Sequence, residues 1–182
     1  GEELLEEILG KISEEDIVVI SGSMPKGSPK DTYYRWTEAC REKGAKVLLD
    51  ADGDLLKAGL KASPYLIKPN NHELSALVGR TLETPEELAA TARDMMKEYG
   101  IEKIVVSMGG AGALYVTADE TIYAEGLKVP VGSTVGAGDS VVAALAKAEE
   151  SGMSLEETVR LSTATGAANV MCSGTQAAEY EV

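Results

Sequence analysis

Phenylalanine is absent from this sequence, and aromatic residues make up only 4% of its 182 residues. A buried core therefore has to be built mainly from Leu, Ile, Val, Ala and Met. Hydrophobic residues still reach 44% and charged residues 26%, which is typical of an ordinary globular protein. A chain of this length can bury roughly 70% of its unfolded surface in one domain. We expect residues 1–182 to form a single domain.

Basic residues are also scarce, with 17 Lys and Arg against 30 Asp and Glu and a formal net charge of −13. Nucleic-acid backbones and anionic membranes attract clustered positive charge, so the sequence predicts neither as a partner. An anionic small ligand is not excluded, because a few backbone N–H groups can bind phosphate locally.

Cysteine, histidine and long apolar runs are similarly limited. Cys40 and Cys172 lie far apart and outside any CxxC pair, which favours free thiols. His72 is the only histidine and has no Cys or His ligands nearby in sequence, so a zinc site is not expected. No segment resembles a signal peptide or the run of about 18 apolar residues that spans a membrane. The expected location is cytoplasmic.

Apolar strands alternate with amphipathic helices along the chain, which indicates an α/β architecture with a mostly parallel sheet. Strands are predicted at residues 17–20, 46–49, 65–67 and 104–106, followed by a hairpin of residues 113–116 and 121–123. Helices are predicted to begin at three places, namely at Ser28 with Pro29 in the first turn and at the capping boxes of Thr84 and Ser154.

A polar residue follows each of the four predicted strands, in the order Ser21, Asp50, Lys68 and Ser107. If the strands are parallel, these side chains share the carboxyl edge of the sheet, where open α/β folds bind ligands. Considered one at a time, each of these polar residues could equally be the first residue of an ordinary polar loop after a strand.

A glycine-containing turn, residues 132–138, precedes an apolar helix near the C-terminal end. Glycines allow several backbone N–H groups to point toward one place, and the helix adds its unpaired N-terminal donors. Gly136, Ala137 and Gly138 are thereby predicted to surround a negative charge, as phosphoryl transfer requires. The segment is neither a Walker A loop nor a GxGxxG motif.

Asp139 follows this turn directly, although a carboxylate repels a phosphate. Accepting a proton from an attacking hydroxyl is one function that explains it, and capping the helix N-terminus is the alternative.

Four segments resemble motifs of the PfkB/ribokinase-like carbohydrate kinases, in the order of that family. Residues 133–144 are similar to its second signature, and residues 21–27 to its SGSxPxG loop. Residues 68–74 are similar to KPNxxEL and residues 107–113 to SxGxxGA. The residues of the KPN and SGSxP motifs are most similar to those of the branch of 1-phosphofructokinases and tagatose-6-phosphate kinases. The resemblance implies a three-layer ribokinase-like fold, with a mostly parallel sheet flanked by helices.

The resemblance also implies roles for individual residues. Asp139 would be the catalytic base, and Gly136, Ala137 and Gly138 would form the anion hole. Glu73 would help to hold Mg²⁺ through water, although it could be an ordinary helix-start acid. The residues implied in ATP binding are Lys68, Asn70, Ser107, Met108, Gly109, Gly110, Ala111, Gly112, Gly138 and Asn169.

The implied reaction transfers phosphate from ATP to a phosphorylated sugar, most simply D-fructose 1-phosphate to fructose 1,6-bisphosphate. A tagatose-6-phosphate kinase and a non-catalytic nucleotide-binding or assembly module are the alternatives. The family's N-terminal strands, lid and sugar-recognition segment have no counterpart here, so we expect the C-terminal portion only. Such a chain should be nearly inactive alone, because the acceptor is not held in place, and should form homodimers through its exposed edges.

Overall fold

One six-stranded sheet organises the computed structural model, which describes residues 2–130 and 132–172. The expected domain boundary at residue 182 lies outside the described residues. The strands follow one another in chain order, β1 Ile17–Ser21, β2 Lys46–Asp50, β3 Leu66–Ile67, β4 Lys103–Ser107, β5 Gly112–Val116 and β6 Thr121–Glu125. Strands β1 to β4 are parallel, whereas β5 and β6 run antiparallel to their neighbours. The predicted mostly parallel sheet and its hairpin are confirmed.

Seven α-helices flank this sheet in the described part of the chain. They are α1 Glu2–Leu9, α2 Thr32–Glu42, α3 Gly53–Leu60, α4 Asn71–Val78, α5 Pro85–Tyr99, α6 Ala137–Glu150 and α7 Leu155–Met171. The capping boxes predicted at Thr84 and Ser154 begin α5 and α7. A further capping box, between Asn70 and Glu73, begins α4.

The predicted start of α2 is wrong. The helix begins at Thr32 with Asp31 as its N-cap, rather than at Ser28 and Pro29. The Pro29 carbonyl accepts hydrogen bonds from the Thr32 backbone N–H at 3.2 Å and from the Thr32 hydroxyl at 2.7 Å. These bonds span three residues and close a turn, so the first four-residue helical bond runs from the Arg35 N–H to the Asp31 carbonyl. Proline opens a tight turn here as readily as a helix.

Two apolar cores lie on opposite faces of the sheet, because successive side chains of a strand point to opposite sides. In β2, Val47 and Leu49 face α2 to α5, whereas Leu48 faces α6 and α7. Each of these three side chains is at most 1% exposed. Full burial of such a side chain contributes about 1.5–3 kcal/mol, so aliphatic residues supply the core without phenylalanine.

Within the described residues, no helix is both long and apolar enough to cross a lipid bilayer. Both cysteines are free thiols, as their spacing predicted, but only Cys40 is buried as expected, whereas Cys172 is half-buried.

Candidate active site

The carboxyl edge of the parallel strands gathers the polar residues that the sequence placed there. Ser21 and Asp50 are direct neighbours across β1 and β2. Lys68 follows the last residue of β3, and Ser107 forms an isolated parallel bridge with Asn70. The prediction that these side chains share one edge is therefore confirmed.

A cavity of about 510 Å³ opens beside this edge, between the β5–β6 hairpin and helices α6 and α7. Seven of the predicted site residues line it, namely Lys68, Ser107, Gly109, Gly110, Gly112, Ala137 and Gly138. Its walls also carry apolar side chains, among them Val141 and Val170. Apolar walls of this kind suit a flat apolar group of a ligand. The part of the cavity lined by Lys68 and glycines suits an anionic group of the same ligand.

The remaining predicted site residues lie outside this cavity wall. Met108 packs against the core, and Asn70 and Glu73 border a separate cavity of about 320 Å³ near α3 and α4. Ala111 is exposed, and its carbonyl accepts hydrogen bonds from the Tyr123 hydroxyl and the Gly126 N–H. Asn169 is buried in α7, next to the glycine turn.

The backbone turn between β4 and β5 depends on glycine at residue 112. Gly112 has a φ of 109°, in the region that side chains other than glycine rarely adopt. A Cβ at this position would overlap the Ala124 carbonyl oxygen on the neighbouring strand. Gly112 therefore lets the turn pack closely against β6 and presents bare backbone at the rim of the cavity.

Helix α6 begins with backbone N–H groups that have no partner within residues 2–130 and 132–172. Its N-cap is Gly136, with a φ of 81° and no side-chain cap, and the first four-residue bond is from the Ser140 N–H to the Gly136 carbonyl at 2.9 Å. Among the described residues, no acceptor receives the N–H groups of Gly138 and Asp139. Asp139 is the third residue of the helix and exposed, so the helix-cap explanation for it is wrong.

Lys68 and Asp50 form a largely buried ion pair beside this helix start. The Lys68 Nζ lies 3.4 Å from the Asp50 Oδ1, and the two side chains are 11% and 23% exposed. A Cβ built on Gly138 would lie 3.9 Å from the same Nζ, so the ammonium also borders the helix N-terminus. Burial raises the pKa of Asp50, Lys68 lowers it, and the charge of Asp139 raises it further. The charges of both Lys68 and Asp139 therefore act on Asp50.

The Asn70–Glu73 pair bears on the predicted metal site. Glu73 Oε2 accepts the Asn70 N–H at 2.8 Å, and Asn70 Oδ1 accepts the Glu73 N–H at 2.8 Å. In the described part of the chain, no three His, Cys, Asp or Glu side chains cluster closely enough to hold a metal ion. Glu73 Oε1 has no partner there, which is compatible with an ion held through water and phosphate rather than by protein alone.

The sequence reasoning missed two features of the site. The first is the ion pair of Asp50 with Lys68. It could not be predicted, because it depends on the distance between side chains at the ends of two neighbouring strands. The second is the contribution of α7, where Thr163, Gly166 and Ala167 line the cavity. Their spacing of three and four residues places small side chains on one helix face and could have indicated a space beside it.

The sequence model of the pfkB family carbohydrate kinases matches residues 2–181. The chain belongs to the pfkB family. Members of this family are ATP-dependent sugar kinases.

Individual pfkB relatives agree with this assignment. The 1-phosphofructokinase of Haemophilus influenzae is 42% identical over 153 residues, which cover 84% of this chain and 49% of the relative. The ATP-dependent 6-phosphofructokinase isozyme 2 of Escherichia coli is 36% identical over 178 residues, which cover 97% of this chain and 58% of that relative. The crystal structure of Escherichia coli phosphofructokinase-2 in complex with substrates and products superposes with a TM-score of 0.89 at 36% identity. The superposition covers 96% of this chain and 57% of the phosphofructokinase-2 chain.

The chain spans about half the length of the curated relatives it matches. Its sheet and flanking helices confirm the predicted ribokinase-like α/β fold as a partial version of that fold.

Proposed function

We propose that this chain provides the nucleotide-binding and phosphoryl-transfer part of an ATP-dependent sugar-phosphate kinase. One observation supports this most directly. Among the described residues, the N–H groups of Gly138 and Asp139 at the start of α6 have no acceptor, and the Lys68 ammonium lies beside Gly138 on the wall of a cavity that also carries apolar side chains. Fixed donors and a positive charge of this kind stabilise the charge on a phosphoryl group in transfer.

ATP is the nucleotide that we propose for this cavity of about 510 Å³. Its base and ribose would lie between the β5–β6 hairpin and α7, where the walls are apolar and small. Its phosphates would extend past the Gly109–Ala111 turn toward Gly138 and Lys68. Asn169 would act next to the turn, because its buried Oδ1 lies near Gly136 and has no hydrogen-bond partner in the part of the chain that the structure describes.

Asp139 would take the proton of the acceptor hydroxyl. It stands next to the proposed anion hole, and its exposed carboxylate can be reached from solvent or by a second substrate. As the acceptor oxygen bonds to the γ-phosphorus, the bond from that phosphorus to the β–γ bridging oxygen breaks. The hydroxyl proton passes to the Asp139 carboxylate, and ADP leaves with the electron pair of the broken bond.

Mg²⁺ would be held through water by Glu73 and Asn70 together with the ATP phosphates. When bound it neutralises phosphate charge. The residues of this chain would do the rest, since the helix N-terminus and Lys68 orient the phosphates and Asp139 removes the proton.

The acceptor we propose is D-fructose 1-phosphate, giving fructose 1,6-bisphosphate. Support comes from the similarity to 1-phosphofructokinases. The similarity to a 6-phosphofructokinase over 97% of the chain favours fructose 6-phosphate as a second candidate. Tagatose 6-phosphate remains the alternative drawn from the motifs. The non-catalytic module differs from all three, because it would bind nucleotide without turnover.

The proposal is tested by ADP release from MgATP with each of the three sugar phosphates. The 182-residue chain should show little or no release, since the described residues offer no segment assigned to holding the sugar phosphate. A chimera that joins it to the complementary half of the Haemophilus influenzae 1-phosphofructokinase should turn over fructose 1-phosphate fastest. Nucleotide binding without turnover in the chimera would instead favour the non-catalytic module. Rapid turnover by the 182-residue chain alone would disprove its inactivity.

Asp139→Asn in this chimera should lower kcat about 10²–10⁴-fold, the contribution expected of a general base. Nucleotide affinity should stay within a few-fold of the unchanged chimera, because the Asn side chain retains the size of the carboxylate. Asp54→Asn, a change in an exposed pair with Lys30 at the start of α3, is the matched control. A variant that retains more than about a tenth of the original rate would contradict the proposed role of Asp139.

A further inference from the structure

We propose that Asp50 is a positioning residue of this site, whose carboxylate fixes the Lys68 ammonium against the N-terminus of α6. The proposal rests on the proposed nucleotide-binding function, because it assigns Lys68 a phosphate to bind. Asp50 belongs to none of the four motifs described above. Its role follows from the 3.4 Å contact and from the position of the ammonium beside Gly138.

Burial makes the pair more than a surface contact. Lys68 is 11% exposed, so without a partner its ammonium would lose much of its hydration and gain nothing in return. A lysine also has a long, flexible stem that can direct the charge to many places. Asp50 ends strand β2, which lies between β1 and β3, and it is in register with Ser21 of β1, so its carboxylate extends from a fixed backbone position.

The other charges nearby determine whether the removal of Asp50 should strengthen or weaken the binding of a phosphate. Asp52 and Asp139 are the acids that act on Asp50 electrostatically, and Lys68 is the cation that does so. If Asp50 only added negative charge, its removal would relieve repulsion and strengthen the binding of a phosphate. If Asp50 holds Lys68 in place, its removal weakens that binding, and only while Lys68 is present.

The first test measures the binding of ATP and of adenosine to the 182-residue chain by titration calorimetry. We expect Asp50→Asn to weaken ATP binding about tenfold, the lower end of what one hydrogen bond to a charged group contributes, and to leave adenosine binding unchanged. In a Lys68→Met background, the same substitution should have no further effect on ATP. Tighter ATP binding in Asp50→Asn, or an equal loss in both backgrounds, would overturn the proposal.

The second test needs no nucleotide. Acetylation of lysines by a limiting amount of an activated ester, read by mass spectrometry, reports how freely each amine is exposed. Lys68 should react slowly in the unchanged chain and at least about fivefold faster in Asp50→Asn, because the loss of the partner frees a flexible amine. Asp54→Asn is the matched control, and it should speed the reaction of Lys30 but not of Lys68.

An unaltered Lys68 rate in Asp50→Asn would overturn the proposal whatever the binding data show. If the unchanged chain binds no ATP, the nucleotide part of the proposed function fails, and the acetylation rate alone decides whether Asp50 positions Lys68. A loss of adenosine binding together with a lower unfolding temperature in Asp50→Asn would show a general structural role and would also overturn it.

Discussion

At the scale of single residues, Gly136 and Gly138 of the site require glycine for different reasons. Gly136 has a φ of 81°, whereas Gly138 is the second residue of a regular helix. A side chain at Gly136 is therefore strained by the backbone itself. At Gly138 a Cβ would be in ordinary contact with its surroundings, but it would lie 3.9 Å from the Lys68 ammonium, on the cavity wall.

We expect Gly136→Ala to lower the free energy of unfolding by about 1–2 kcal/mol, the cost of a left-handed conformation for an L-residue. Gly138→Ala should leave stability unchanged or slightly higher, because alanine suits a helix better than glycine. It should nevertheless weaken ATP binding about tenfold by placing a methyl group between the phosphate and its donors. Urea denaturation and ATP titration of the two variants measure both effects.

Gly152→Ala is the control for backbone strain without any effect on the site. Gly152 has a φ of 63° and open space around it, in the turn between α6 and α7. Its substitution should cost stability like Gly136→Ala and leave ATP binding untouched. If Gly138→Ala bound ATP as well as the unchanged chain, the helix start would not be the phosphate site.

At the scale of secondary-structure elements, the start of α5 gives a prediction that depends on pH. Glu87 Oε2 accepts the N–H groups of Glu83 and Thr84, and these two hydrogen bonds lower the pKa of Glu87. A lowered pKa in the folded state means that ionised Glu87 stabilises the fold above the ordinary pKa of glutamate, and that this contribution is lost as the pH falls through the lowered value. Glu87→Gln should therefore be less stable than the unchanged chain at pH 7, and the difference should be smaller at pH 3, below the ordinary pKa of glutamate.

Thr84→Ala removes the other half of the same capping box and should behave differently. The Thr84 hydroxyl accepts the Glu87 N–H at 3.2 Å and carries no charge. Its loss should cost about 1 kcal/mol at both pH values, the usual cost of losing an N-cap side chain. Glu86→Gln, in the same turn, is the control for charge alone. A Glu87→Gln deficit of equal size at pH 3 and pH 7 would contradict the assignment of the effect to the carboxylate.

Elements with strong local chemistry were predictable from the sequence. The boxes at Thr84 and Ser154 fix where α5 and α7 begin, because the partners lie three residues apart. The positions of the strands along the chain followed from apolar runs, and their expected parallel arrangement placed Asp50 and Lys68 at one edge. The start of α2 was missed because the Pro29 carbonyl closes a turn with Thr32, a choice that a proline alone does not reveal.

Side-chain relations between distant segments could not be read in the same way. Asp50 and Lys68 are 18 residues apart, and their contact depends on the register of β2 with β3 and on two rotamers. The cavity depends likewise on how closely α7 approaches the hairpin. The roles proposed for Asp139, Glu73 and Asn169 rest on motifs, and they remain predictions until the variants are measured.

At the scale of the whole molecule, strand β1 forms an edge of the sheet that the described residues build. Strand β1 is paired with β2 alone in the described part of the chain, and Val19 on this strand is 40% exposed. An edge strand with apolar side chains is a template for pairing with another strand. The net charge of −13 opposes the approach of a second copy, so association should depend on how well that charge is screened.

We expect the chain to form dimers through β1, and to do so more strongly at 0.5 M than at 0.05 M NaCl. Two copies related by a two-fold axis would pair their β1 edges antiparallel, and salt would shorten the range of their mutual repulsion. Val19→Glu adds a like charge at this edge and should shift the equilibrium to monomer, as measured by sedimentation velocity. Val78→Glu, at an exposed apolar position on α4, adds the same charge elsewhere and should leave most of the dimer intact. A monomer at every salt and protein concentration, or equal loss of dimer in both variants, would place self-association somewhere other than β1.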